Sequence, residues 1–145
     1  MNQEALGDTW ATRQRNTLKE ERRLRKAVSR GRISPGEACA RAEGTRAYWE
    51  ARLHGAIASG RTGELLICWL SAGHARTLSK YLTLVSDGQD PEQAEAQSGH
   101  QQSIEVMGLY LEALNDPKAP VEVVERLEGE LAELWGIPAP AGINA

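Results

Sequence analysis

Apolar positions along this chain recur with helical spacing, and no window alternates for long as a strand would. Residues 9–29 carry a thin seam of Trp10, Leu18, Leu24 and Val28 on an otherwise charged surface. That pattern predicts a helix whose stripe is too narrow to hold it by packing alone. Residues 64–86 are apolar on more than one face, from Leu65 through Trp69 and Leu70 to Leu82 and Val85, which predicts a long buried helix. A chain of this size has few elements to cover such a helix, so contacts between subunits are the expected cover. Gly73 is expected either to kink it or to let another helix approach closely. Residues 102–114 place Ile104, Met107, Leu111 and Leu114 on one face. Residues 120–135 repeat Val124, Leu127, Leu131 and Leu134 at three-four-three spacing, the seam of a coiled coil or bundle. The expected fold class is all-α.

Start and stop signals sharpen the stretch 34–59. Ser34 has the character of an N-cap, Pro35 suits the first helical position, and Glu37 completes a capping box. Gly44 is then expected to close a short helix in a left-handed conformation. Thr45 would cap a second helix carrying Arg46, Tyr48, Trp49 and Arg52. A short helix, a glycine turn and a longer basic helix outline a helix-turn-helix, whose second helix enters a DNA major groove. Ala40 supplies the small residue four positions before the turn. Glu43, Thr45 and Glu50 stand where apolar packing residues belong, so the alternatives are a register shifted by one, with Ala42 and Trp49 packing, or an ordinary helical hairpin. Asp90-Pro91 repeats the start signal and Gly99 repeats the break. No Lys or Arg occurs between Gln89 and Asn115, so that second unit reads as packing or assembly.

Two glycines in Ser59-Gly60-Arg61-Thr62-Gly63 suggest a flexible joint. The expected organisation is a basic module over 1–61, an acidic helical assembly domain over 62–136, and an extended tail over 137–145. That tail, with Pro138 and Pro140, is either inert or a docking peptide.

Charge reinforces this division. The formal net charge is −3. Residues 13–61 nevertheless hold thirteen Arg or Lys against five Glu, whereas residues 62–145 hold four against thirteen Asp or Glu. Such asymmetry points to a polyanionic partner for the front and a separate task for the back; the competing explanation is that the halves neutralise each other within an oligomer. Cys39 and Cys68 form no paired motif and are expected as reduced core residues in a cytoplasmic setting. Residues 1–10 lack the apolar run of a secretory signal, and the longest apolar run, residues 65–70, is too short for a bilayer.

Catalytic chemistry is not legible. His54, His74 and His100 lie twenty or more residues apart without ligand spacing, so neither a metal nor a cofactor is expected. Residues 60–64 are glycine-rich but lack a phosphate-loop lysine and a preceding strand. The expectation is a non-enzyme. The residues expected to hold double-stranded DNA are Arg13, Arg15, Lys19, Arg22, Arg23, Arg25, Lys26, Arg30, Arg32, Arg41, Thr45, Arg46 and Arg52, with Arg46 and Arg52 nearest base edges.

In plan, a basic helix-turn-helix-like front at 34–59 followed by an acidic helical remainder resembles the small terminase subunits of tailed phages. The resemblance implies a homo-oligomeric ring that recognises viral DNA for packaging and meets a large ATP-hydrolysing subunit through its C-terminal segment. The chain departs from that family in having no evident C-terminal strands. Two other readings are a dimeric helix-turn-helix transcriptional regulator and a helical structural or adaptor protein of a virion.

Overall fold

A computed structural model describes the backbone of residues 3–143 and the side chains of Thr12 and of residues 15–143. Among the described residues six helices follow one another: α1 (Gln3–Ser29), α2 (Pro35–Ser59), α3 (Thr62–Ser86), α4 (Pro91–Ser98), α5 (His100–Asn115) and α6 (Val121–Trp135). Strands are absent among the described residues. Local chemistry sets most of the boundaries. Ser34 Oγ accepts from the Glu37 backbone N–H at 3.1 Å, with Pro35 opening α2. The Asp90 carboxylate accepts from the Glu92 backbone N–H at 3.2 Å and starts α4 in the same manner. Gly60, Gly99 and Gly136 adopt left-handed conformations after α2, α4 and α6.

At Gly44 the expectation fails. Helix α2 runs unbroken through it, and the two-helix unit expected over 34–59 is one helix of 25 residues. The short-helix, left-handed-glycine, longer-helix outline occurs instead at α4–Gly99–α5, where cations are lacking. A glycine inside a helix is tolerated at a modest entropic cost, and neighbours of Gly44 on both sides make helix-compatible ion pairs. Gly44→Ala is therefore expected to raise stability by about 0.5–1 kcal/mol, because the added methyl meets nothing within 4 Å. Thermal unfolding would measure it, and a loss of stability would mean that a turn forms there in solution.

Helix α3 is the axis of the molecule, buried along most of its length by other helices of the same chain. Its first half packs with Leu53 and Ala56 of α2, Met107 and Tyr110 of α5, and Leu131 and Trp135 of α6. Its second half, through Tyr81 and Leu82, packs with Ala38 and Ala42 of α2 and Ala94 of α4, with Leu24 and Val28 of α1 alongside. The all-round apolar surface that suggested subunit contacts is thus covered from within. The joint at 59–63 is a tight reversal: the Gly60 N–H bonds back to Ala56 and Ile57 carbonyls, and α2 lies along α3. The boundary expected after residue 61 falls inside this turn, and the elements on either side share both apolar clusters.

Beyond α6 the chain stays on the bundle. Trp69 Nε1 donates to the Ile137 carbonyl at 3.0 Å, and Ile143 is buried. The tail expected over 137–145 therefore packs on its own domain as far as residue 143. Cys39 and Cys68 are free thiols. No helix among the described residues is long and apolar enough to cross a membrane.

Candidate functional site

The basic residues fall into two groups. At 100° per residue, Arg15, Lys19, Arg22, Arg23 and Lys26 occupy a sector of about 100° on α1, opposite the seam of Glu21, Leu24 and Val28. All five are exposed, and among the described residues none forms an ion pair. Lys19, Arg22, Arg23 and Lys26 border one shallow surface depression. Arg30 and Arg32, exposed in the turn after α1, continue the positive surface. Arg13 was expected here too, but its side chain lies outside the described residues, as does that of Trp10.

The other four cations expected at the site, Arg25, Arg41, Arg46 and Arg52, are engaged. Arg25 points to the side of the stripe, 3.5 Å from Glu21 and 3.3 Å from Glu95, with its guanidinium 4.3 Å from the centre of the Tyr81 ring. Arg41 pairs with Glu37 at 3.2 Å, and Thr45 Oγ1 donates to the Arg41 carbonyl within the same helix. Arg46 lies between Glu43, at 2.7 Å, and Glu50. It holds the Glu43 carboxyl below its ordinary range by hydrogen bonding. Arg52 donates to Tyr48 Oη at 3.0 Å and reaches Glu64 at 3.4 Å. The turn at Gly44 is absent, so Arg46 and Arg52 stand on the continuous helix α2 rather than on a separate second helix, and both are paired along the α2–α3 hairpin.

Behind α1 lies a second arrangement. Glu21 of α1, His74 of α3 and His100 of α5 are all buried and converge. His100 Nε2 sits 2.7 Å from Glu21 Oε1, and His74 Nε2 sits 3.3 Å from the same oxygen without the alignment of a hydrogen bond. The two imidazole rings are 4.9 Å apart, centre to centre. On the far side of His100, Nδ1 lies 2.8 Å from Thr77 Oγ1, while that hydroxyl donates to the His74 carbonyl at 3.2 Å. Burial would push the Glu21 carboxyl up, but the bond to His100, then the His74 ring, outweigh it and hold the carboxyl well below its usual range. One face of the cluster borders a cavity of about 330 Å³ between α1, α2 and α3, lined by Thr17, Trp49 and Ser71 among others.

Spacing alone separates these three residues by 53 and 26 positions, and they were not expected to meet. One clue was present: Thr17, Glu21, Leu24 and Val28 share the heptad-like face of α1, which places a carboxylate inside the seam. Each residue offers one ligand atom, and these atoms lie within 4.8 Å of one another. No protein-family model, curated protein or solved structure matches this chain.

Proposed function

We propose that this protein binds double-stranded DNA through the outer face of α1, by contact with phosphates. The observation that carries this reading is the exposed stripe Arg15, Lys19, Arg22, Arg23 and Lys26, without an ion pair among the described residues. Arg15–Lys19, Lys19–Arg23 and Arg22–Lys26 are like-charge pairs four residues apart, a spacing that destabilises a helix. Arg25, Arg41, Arg46 and Arg52 all have carboxylate partners, whereas among the described residues the cations of this face have none. A polyanion along the helix would relieve the repulsion and release counterions. The stripe rises about 16 Å along the axis, enough to follow several phosphates. A helix with no glycine turn and no free cation reaching from α2 reads backbone charge, so sequence-independent binding is the expected mode.

Self-association through the acidic half, with Glu122, Glu125, Glu130 and Glu133 exposed on α6, belongs to this proposal. Packaging by a terminase-like ring drew its residue-level likeness from 34–59, where Pro35–Ser59 form a single helix, and the proposal therefore stops at DNA binding and self-association.

Binding to a duplex should be titrated at several salt concentrations. Changing Lys19, Arg22, Arg23 and Lys26 together to Ala is expected to lower the slope of log K against log salt by about 3–4, close to 0.9 for each phosphate contact. Changing Arg46 and Arg52 to Ala should leave that slope in place. Equal slopes for the wild type and the quadruple variant would reject the α1 face. Capture of an acidic protein with no duplex binding would favour the adaptor reading.

A further inference from the structure

His100 lies between two oxygens, with Nδ1 2.8 Å from Thr77 Oγ1 and Nε2 2.7 Å from Glu21 Oε1. His74 beside it lacks such support: the residue is 5 % exposed, and neither Nδ1 nor Nε2 has an aligned hydrogen-bond partner. Ser71 Oγ, also on the cavity wall, is buried and without a partner. Unsatisfied buried polar groups are costly, and a cluster of them asks for a ligand.

We propose that Glu21, His74 and His100 bind one divalent transition-metal ion, zinc by preference, with the bordering cavity providing room for a water as the fourth ligand. Two imidazoles and one carboxylate suit zinc and its neighbours; magnesium and calcium favour all-oxygen sets. Tetrahedral bonds of about 2.0–2.2 Å put neighbouring ligand atoms roughly 3.3 Å apart. The separation of His74 Nε2 from Glu21 Oε1, 3.3 Å, already meets that spacing. His100 Nε2, at 2.7 Å from the same oxygen, meets it after a shift of about half an ångström, or if the carboxylate presents its other oxygen. Thr77 holds Nδ1 of His100 as an outer-shell partner that fixes the ring and directs Nε2 inward. Because the three ligands come from α1, α3 and α5, the ion would tie the cationic helix to the body of the bundle. The inference does not depend on the DNA-binding proposal.

The test uses the full chain, stripped with a chelator and titrated with Zn²⁺ by calorimetry and with Co²⁺ by visible absorption. One ion per chain is expected at micromolar concentration or below, with a rise in the thermal midpoint and a cobalt spectrum of low coordination number. His74→Ala and His100→Ala should each weaken binding at least tenfold, and Thr77→Val by about 10–100-fold. Should a variant fail to fold, paramagnetic Co²⁺ shifts in the wild-type protein locate the ion directly, through the backbone amides of residues 21, 74 and 100. No binding at stoichiometric metal overturns the proposal. So does binding that survives both histidine changes, or paramagnetic shifts centred on His54, Cys39 or Cys68.

Discussion

Gly73→Ala is expected to destabilise the fold by about 3 kcal/mol or more, at the upper end of what overpacking a core by one methyl costs. A Cβ at this position would lie 2.0 Å from Trp135 Cδ2, 2.2 Å from Cε3 and 2.4 Å from Cε2. The indole cannot easily withdraw. Its Nε1 donates to Ser103 Oγ at 2.7 Å, and its ring packs edge-on against Trp69 with centres 4.9 Å apart. Only 2 % of Trp135 is exposed, so displacing it means separating α6 from α3. Urea unfolding followed by circular dichroism measures the loss. A change below about 1 kcal/mol would show that the indole has a second seat. Combining the substitution with Trp135→Leu should cost less than the two single changes together, because one methyl and one ring compete for the same space.

Removing the carboxylate of Glu21 is expected to cost about 3–5 kcal/mol in Glu21→Ala, the range for breaking a buried charged pair from one side. The substitution leaves His100 Nε2 without its 2.7 Å partner and takes away one of the two acidic contacts of Arg25. It also opens a void beside the cavity of about 330 Å³. Glu21→Gln should cost less, since the amide fills the same volume and can either donate to or accept from His100 Nε2. Chemical denaturation at neutral pH in the presence of chelator would compare the two without any contribution from bound metal. Equal losses for Ala and Gln would indicate that the carboxylate charge, not the filled volume, carries the stability at this position. A negligible loss for Ala would mean that α1 does not rest on this cluster.

Much of the fold was readable because its causes are local. Ser34 with Pro35, and Asp90 with Pro91, start helices by satisfying backbone N–H groups within three residues, and such signals survive without knowledge of the rest. Apolar spacing likewise anticipated α3, α5 and α6. Gly44 misled because a glycine both ends helices and survives inside them; burial of Ala38, Ala42, Leu53 and Ala56 against α3 keeps α2 continuous across it. Arginines divided for a similar reason. Arg23 and Arg25 look alike in sequence, yet a turn of two residues places one on the open face and the other between Glu21, Glu95 and Tyr81.

By itself, the amino-acid sequence determined that this protein is helical, where most of its helices begin and end, and that its cations crowd the front third while its acids fill the back. Those properties depend on neighbours within a few positions, or on composition alone. Only the tertiary structure decided that α3 is buried by its own chain, that five cations on α1 find no ion-pair partner among the described residues, and that Glu21, His74 and His100 meet. These are contacts between residues tens of positions apart, and they follow from how three helix faces pack, which no local spacing encodes.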